Sequence, residues 1–455
     1  MSGFVSKLRP GSVRAAVLVL AAFAAGLLSV SVAAHFTAAP DPSDPAALAK
    51  LQAQFLRPDL VPVPADNIPS PQRIALGARL FNEVRLSAND KIACSKCHDP
   101  ALSFTDGVAR GKGIAKVLLP RHTPSLWNVA WARALFWDGR ADSLEAQAYG
   151  PIENPKEMGQ PLARGAEKIA ADPGYAKDFA KAFPDDPGIT PDHIVKALAS
   201  FERIFVSPRT RFDRWVEGDA TALSEAEIRG FKLFTGKAQC SNCHSGWAFT
   251  DYGFHDIGLP GADLGRGPVI GLPEVNHAFK TPSLRELVWT APYMHDGSLA
   301  TLDDVISHYE SGGVKRPTRS PDFPKNLSLS PEERSDLIAF LESLSSEQPP
   351  KPATDIHLSN GRSLEAAPPV VATSTVSQEN KTFVPGRIEI AKGETLTVLN
   401  EDTRPHNVRV FDPRMKFNSG IQEPGERIAI PFKQAGSFEI FCGIHPNMRL
   451  TVEVR

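Results

Sequence analysis

The sequence predicts a multidomain chain: two related, mainly α-helical domains followed by a small all-β sandwich. Three observations carry this. Cys94-Ser-Lys-Cys97-His98 and Cys240-Ser-Asn-Cys243-His244 are the same pattern written twice, and a repeated pattern signals a repeated structural unit. Helix-capping sequences and apolar stripes dominate both halves. Toward the C-terminus the pattern turns to short alternating runs, as in Arg387-Ile-Glu-Ile390 and Thr395-Leu-Thr-Val-Leu399, which is the period of strands.

Taken in order, the chain opens on Lys7, Arg9 and Arg14, then a small and apolar run from Ala15 to Ala34, with no acidic residue before Asp41. Such a stretch is a signal peptide cleaved near Val32 to Ala34, or an uncleaved N-terminal membrane anchor. Both place the remainder in the periplasm, because the positive flank stays inside. The duplication then extends well beyond the cysteines. Gly77-x-x-Leu80-Phe81 precedes the first motif and Gly230-x-x-Leu233-Phe234 the second. Thr123-Pro-Ser-Leu126 and Thr281-Pro-Ser-Leu284 follow them, each Thr 15 residues ahead of an Asp-Gly pair at Asp138 and Asp296. Ser224-x-x-Glu227 and Ser330-Pro331-x-Glu333 are capping boxes, and Leu337, Phe340, Leu341 and Leu344 form a helical core stripe. The predicted divisions are 1–35 for the export segment, 36–215 and 216–347 for the helical domains, 348–372 for a Pro-, Ser- and Ala-rich linker, and 373–455 for the sandwich.

Composition narrows the function. Fifty Lys plus Arg against 52 Asp plus Glu give a net charge of -2, which excludes a nucleic-acid binder relying on a basic excess. A hydrophobic share of 42% suits ordinary cores and is too small for a polytopic membrane protein. Forty prolines accompanied by 33 glycines and 25 phenylalanines predict long ordered loops rather than disorder.

Cys-x-x-Cys-His offers two thiols for thioether bonds to haem vinyl groups and an adjacent imidazole for the iron. A zinc site made of the four thiols would leave the histidine after each pair unexplained. Two c-type haems follow, on Cys94, Cys97 and His98 and on Cys240, Cys243 and His244.

At these motifs the chain resembles the bacterial di-haem cytochrome c peroxidases and their MauG-type relatives, over residues about 60 to 345. The carriers are Leu86-Ser87, Phe136-Trp137-Asp138-Gly139-Arg140, Gln147, Asn154-Pro155-x-Glu157-Met158, Asp263-Leu-Gly-Arg266, and Phe279-Lys-Thr-Pro-Ser-Leu-Arg285 through Tyr293-Met-His-Asp-Gly297. The resemblance implies that the first haem meets hydrogen peroxide and the second feeds it electrons. It places Trp137 between them, and Gln147 and Glu157 over the reactive face of the first haem. A carboxylate there suits O–O cleavage, which needs a proton moved between the peroxide oxygens. Three positions depart from the peroxidase branch. The second haem's sixth ligand falls on Tyr309, as in the MauG branch, with neighbouring His308 the alternative. Val108 to Leu119 contains no histidine to close the first haem at rest. His122 stands where relatives have an asparagine that helps hold a calcium, which leaves calcium an open expectation. MauG itself carries a tryptophan two residues before the second haem's first cysteine; here that position is Ala238.

The fifth cysteine lies in Cys442-Gly-Ile-His445-Pro-Asn-Met448, with His406 upstream. A thiolate, two imidazoles and a weak axial thioether are the ligands of a type 1 copper site. From about Phe383 to Arg455 the chain resembles amicyanin and plastocyanin-like cupredoxins. All five cysteines are thereby assigned, with none left for disulfides. His193, His255, His277 and His357 carry no pattern and are expected to be surface or satisfied core residues.

The expected architecture is thus two mainly α-helical cytochrome c-type haem domains followed by an all-β cupredoxin sandwich. The expected function is a periplasmic di-haem peroxidase reducing hydrogen peroxide to water with electrons from its own copper domain. An external donor would supply it, whether a small cytochrome c, a copper protein or a quinol-linked carrier. A linker of about 20 residues would hold the copper domain at roughly millimolar effective concentration. The alternatives are a MauG-like oxidase acting on side chains of a partner protein, and a non-catalytic electron-transfer protein. A membrane anchor and a homodimer stay open as assemblies.

Overall fold

The computed structural model describes residues 45–352, 356–361 and 367–455. The expected export segment, 1–35, lies outside the described residues. Among the described residues no helix is long and apolar enough to cross a membrane.

Each haem unit is built on a crossed pair of helices, and the duplicated glycine explains itself there. Pro71–Phe81 packs on Pro191–Glu202, and Glu225–Thr235 packs on Pro331–Glu342. A Cβ on Gly77 would lie 2.1 Å from the Ala197 carbonyl oxygen, and one on Gly230 would lie 2.0 Å from that of Asp336. Only a residue without a side chain lets the two backbones approach so closely. Leu80, Phe81, Phe104, Phe179 and Leu198 form the first core. The second is phenylalanine-rich: Phe231, Phe234, Phe249 and Phe340 meet edge-on or tilted, 5.1–6.0 Å between centroids, a preferred aromatic geometry. Both predicted capping boxes form, with Ser224 and Ser330 receiving the N3 amides of Glu227 and Glu333 and those carboxylates reaching back. Leu337, Phe340, Leu341 and Leu344 are buried.

The second core draws on residues placed in the first domain from sequence. Phe55 and, from helix Arg211–Val216, Phe212 and Trp215 pack inside it. An apolar residue joins whichever core it can bury against, so the boundary expected at 215/216 cuts through a packed helix.

The C-terminal part is a two-sheet sandwich. One sheet runs Met415–Gln422, His406–Asp412, Gly436–Phe441, Arg449–Val454, Arg387–Ile390, Val371–Ala372; the other runs Arg427–Pro431, Thr395–Asn400, Thr375–Glu379, Thr382–Val384. Alternate residues point inward, as with Leu396 and Val398 or Leu450 and Val452, all fully buried.

The described parts of the predicted linker are anchored at two places. His357–Leu358 pairs in parallel with Leu60–Val61, Ser359 Oγ accepts from Val63 N at 3.0 Å, and Val371–Ala372 is already a strand of the sandwich. The sandwich itself is seated on the haem units: Phe254, Ile270, Leu272, Val275 and Ala278 share one apolar cluster with Ile444, Val408 and Met448.

Candidate redox centres

The two haem-attachment motifs face one cavity of about 1100 Å³. Ordinary ligand sites hold roughly 300–1,000 Å³, so this space suits more than one large cofactor. Its walls include Cys94, Cys97 and His98 on one side and Cys240, Cys243 and His244 on the other. The two histidines are held identically. His98 Nδ1 donates to Phe104 O at 2.9 Å, and His244 Nδ1 donates to Phe249 O at 2.9 Å. That bond fixes the tautomer and leaves Nε2 bare for a metal. Burial lowers both imidazole pKa values, so each ring stays neutral. The duplicated Thr-Pro-Ser-Leu segments serve the same end. Ser125 Oγ binds Ser103 O at 2.8 Å and Ser283 Oγ binds Ala248 O at 2.7 Å, each pinning the residue before the carbonyl that holds the histidine.

Trp137, Gln147, Glu157 and Tyr309 all line this cavity. Trp137 is tied to both halves: its Nε1 donates to His122 O at 2.9 Å, and its carbonyl accepts from Lys280 N at 2.8 Å. Glu157 Oε1 accepts from Asn154 Nδ2 at 2.7 Å; burial raises its carboxyl pKa, against the smaller opposing pull of Asn154 and Arg140. Of the two candidates for the second haem's sixth ligand, Tyr309 lines the cavity with His244, whereas His308 Nε2 is engaged by Ile257 O at 2.9 Å. Burial pushes the Tyr309 phenol up, so ionising it requires a positive charge beside it. His122 Nδ1 donates to Val108 O at 2.9 Å. Ala238 is fully buried.

The fifth cysteine sits in a separate cluster of three buried donors, His406, Cys442 and His445. Nδ1 of His406 and Nδ1 of His445 lie 3.2 Å apart, and each lies 3.8–3.9 Å from Cys442 Sγ. The centre of such a triangle is about 2 Å from every corner, the length of a metal–nitrogen bond. Asn407 N donates to Cys442 Sγ at 3.4 Å, favouring a thiolate. Met448 is buried, and its loop is closed by bonds from Cys442 N to Met448 O and from Met448 N to His445 O. The residues fit copper.

All five cysteines are free of disulfides. His193, stacked on Phe183 at 4.1 Å, and His277, bonded to Asp263 O, are satisfied core or loop residues as expected. His255, with both ring nitrogens bonded, is likewise a satisfied core residue. It lies buried where the copper loop meets the second haem motif, among groups that sequence reading missed. Lys381 Nζ donates to Asp251 Oδ2 at 2.8 Å and Asn242 O at 2.9 Å, and Arg404 Nε donates to Asp322 Oδ1 at 2.6 Å. Arg266 joins three parts of the chain, binding Asp138 O, Gly139 O and the Gly443 carbonyl inside the copper loop. The duplication held one signal: a histidine stands 11 residues after His244, whereas Ala109 stands 11 after His98.

Fold and sites together define a two-haem c-type cytochrome joined to a cupredoxin. The di-haem cytochrome c peroxidase family matches residues 71–221, cytochrome c matches 228–345, and the cupredoxin-like domain matches 359–454. Methylamine utilization protein MauG of Methylorubrum extorquens is 49% identical over 303 residues, covering 66% of this chain and 86% of that protein. Cytochrome c551 peroxidase of Nitrosomonas europaea is 36% identical over 282 residues, covering 60% and 80%. The crystal structure of a MauG-like protein associated with microbial copper homeostasis superposes with a TM-score of 0.59 at 34% identity, covering 65% of this chain and 94% of that one. The chain belongs to the di-haem cytochrome c peroxidase/MauG family, a family of peroxidase-type oxidoreductases with two c-type haems, and carries in addition a type 1 copper domain.

Proposed function

We propose that this protein reduces hydrogen peroxide to water in the periplasm, drawing electrons from its own copper domain by way of the second haem site. The copper and haems, when bound, supply the one-electron steps that sum to the two electrons of H2O2 + 2e⁻ + 2H⁺ → 2H2O. His98 and His244 would hold the two irons, with Tyr309 the further candidate ligand at the second; His406, Cys442, His445 and Met448 would hold the copper.

The residues over the first site handle protons. Glu157, its carboxyl made more basic by burial and oriented by Asn154, takes a proton from one peroxide oxygen and delivers it to the other. Gln147 shares that wall and offers an amide to the bound peroxide. Trp137 lines the shared cavity and is bonded to both halves, which supports its place on the path between the two sites.

One observation carries the reading: the copper loop is built into the haem units. Gly443 O accepts from Arg266 and Ile444 O accepts from Phe254 N at 3.0 Å, so Cys442 and His445 are held against the second haem side rather than presented to solvent. A donor domain docked there has no diffusional encounter to make. A small cytochrome c, copper protein or quinol-linked carrier would refill it.

The test is steady-state peroxide reduction by the copper- and haem-loaded protein, with a reduced small cytochrome as donor, beside His406→Ala. Turnover that collapses in the variant supports the reading. Undiminished turnover removes copper from the path.

A MauG-like oxidation of partner side chains is the second reading, favoured by the 49% identity to a MauG protein and by Tyr309. Ala238 weighs against it, because a buried methyl offers no aromatic route outward. Negligible peroxide turnover together with oxidation of an added protein would select it.

A further inference from the structure

The copper site and the second haem motif meet across one buried side chain. His255 is 6% exposed and sits on a two-residue strand, Phe254–His255, paired with Phe279–Lys280. On one face its ring lies 6.0 Å, centroid to centroid, from the ring of His445, the planes inclined at 54°. At its edge, a ring nitrogen, the Asp251 carboxylate and Cys243 Sγ all lie within 4.8 Å of one another. Cys243 Sγ is one of the two sulfurs that would carry the second haem, and His445 is one of the residues that would hold copper.

The ring is also locked from two directions. Nε2 donates to Asp251 Oδ2 at 3.0 Å, and Nδ1 hydrogen-bonds to Ser320 Oγ at 3.1 Å. Asp251 Oδ2 in turn accepts from Lys381 Nζ of the copper domain at 2.8 Å. A residue needed only to fill space would be apolar, since burying a polar ring requires partners for both nitrogens. Here those partners set its orientation, and one of them is shared with the domain that brings the copper.

We infer that His255 is the bridging residue between the copper site and the second haem, its ring filling the gap between the copper-ligand imidazole and the haem-bearing sulfur. The inference rests on the proposed flow of electrons from copper to haem and deepens it. The step served is a single electron leaving copper(I) for haem iron(III), giving copper(II) and iron(II), with no atom transferred. The external one-electron donor re-reduces the copper. Asp251 and Ser320 act as positioning residues for the ring.

The experiment follows one electron inside the holoprotein. Copper is reduced by a flash-generated reductant, and reduction of the second haem is followed optically in the natural protein, His255→Gln and His255→Leu. Gln keeps a hydrogen-bonding amide for Asp251 and loses the ring; Leu loses both. The copper EPR signal and the midpoint potentials of both sites are recorded in each. The bridge predicts that internal transfer slows by an order of magnitude or more in both variants, with potentials and copper signal at their natural values in His255→Gln. Natural rates in the variants would overturn it. A slowing in both variants that follows shifted potentials or an altered copper signal would overturn it too, by assigning His255 a structural role. No copper-to-haem transfer in the natural protein while peroxide is still consumed would overturn the flow itself, a different failure read from a different sample.

Discussion

Asp402 holds His406 in place for copper: its Oδ2 lies 3.1 Å from His406 Nε2, which turns Nδ1 toward Cys442 and His445. Against the opposing effect of burial, that bond and the amides of Lys381 and Thr403 keep the carboxyl well below the usual range, so it is an anion at any working pH. Outer-shell partners of this kind change metal affinity by about 10–100-fold. Asp402→Asn should therefore weaken copper by about that factor. A chelator competition titration measures it, and unchanged affinity would show that the strand alone orients the ring.

Glu157 is the proton carrier of this account. Glu157→Gln keeps the shape and removes the proton. Peroxide turnover should fall roughly 10²–10⁴-fold, with the absorption spectra of both haems retained. Activity within a factor of a few of the natural protein would move the proton path elsewhere in the cavity.

Tyr309 rather than His308 faces the second haem site. A phenolate donor favours oxidised iron, and a thioether raises the potential. Tyr309→Met should raise the midpoint potential of one haem and leave the other in place, whereas His308→Ala should shift neither. A spectroelectrochemical titration reads both. A shift with His308→Ala alone would reverse the assignment.

Glu202 gives the protein a pH-dependent stability. It is buried in the wall of the first site, its neighbour Arg203 is taken up by Glu145 at 2.8 Å, and burial pushes its carboxyl up from 4.5 to about 8. Between those values the folded state binds the proton more tightly than the unfolded chain, so this contribution is fully present at low pH and is lost as pH rises toward 8. The slope is at most about 1.4 kcal/mol per pH unit. Glu202→Gln should flatten that fall between mildly acidic and mildly alkaline pH, as measured by denaturant unfolding. Parallel curves for the two proteins would show that the carboxyl finds a partner in the folded state.

Much of this was legible in the sequence because it depends on local chemistry. Cys-x-x-Cys-His, the paired capping boxes and the alternation of Arg387–Ile390 each follow from neighbours in the chain, and the duplicated Gly77 and Gly230 marked a repeated unit. What stayed hidden depends on how distant segments meet. Nothing near Phe212 says which core it joins. Nothing near Lys381 or Arg404 says that Asp251 and Asp322 await them, and without that contact the copper domain reads as a tethered module. His255 looked idle for the same reason, since its partners His445 and Lys381 are supplied only by docking.

The central claim is that copper electrons reach peroxide. The direct measurement mixes fully reduced, copper- and haem-loaded protein with less than one equivalent of hydrogen peroxide and follows the oxidised-copper signal, with Cys442→Ser as the copper-free reference. The account predicts that oxidised copper grows in as peroxide disappears, leaving the second haem reduced for longer than in Cys442→Ser. Copper that stays reduced while peroxide is consumed and the haems oxidise would contradict it.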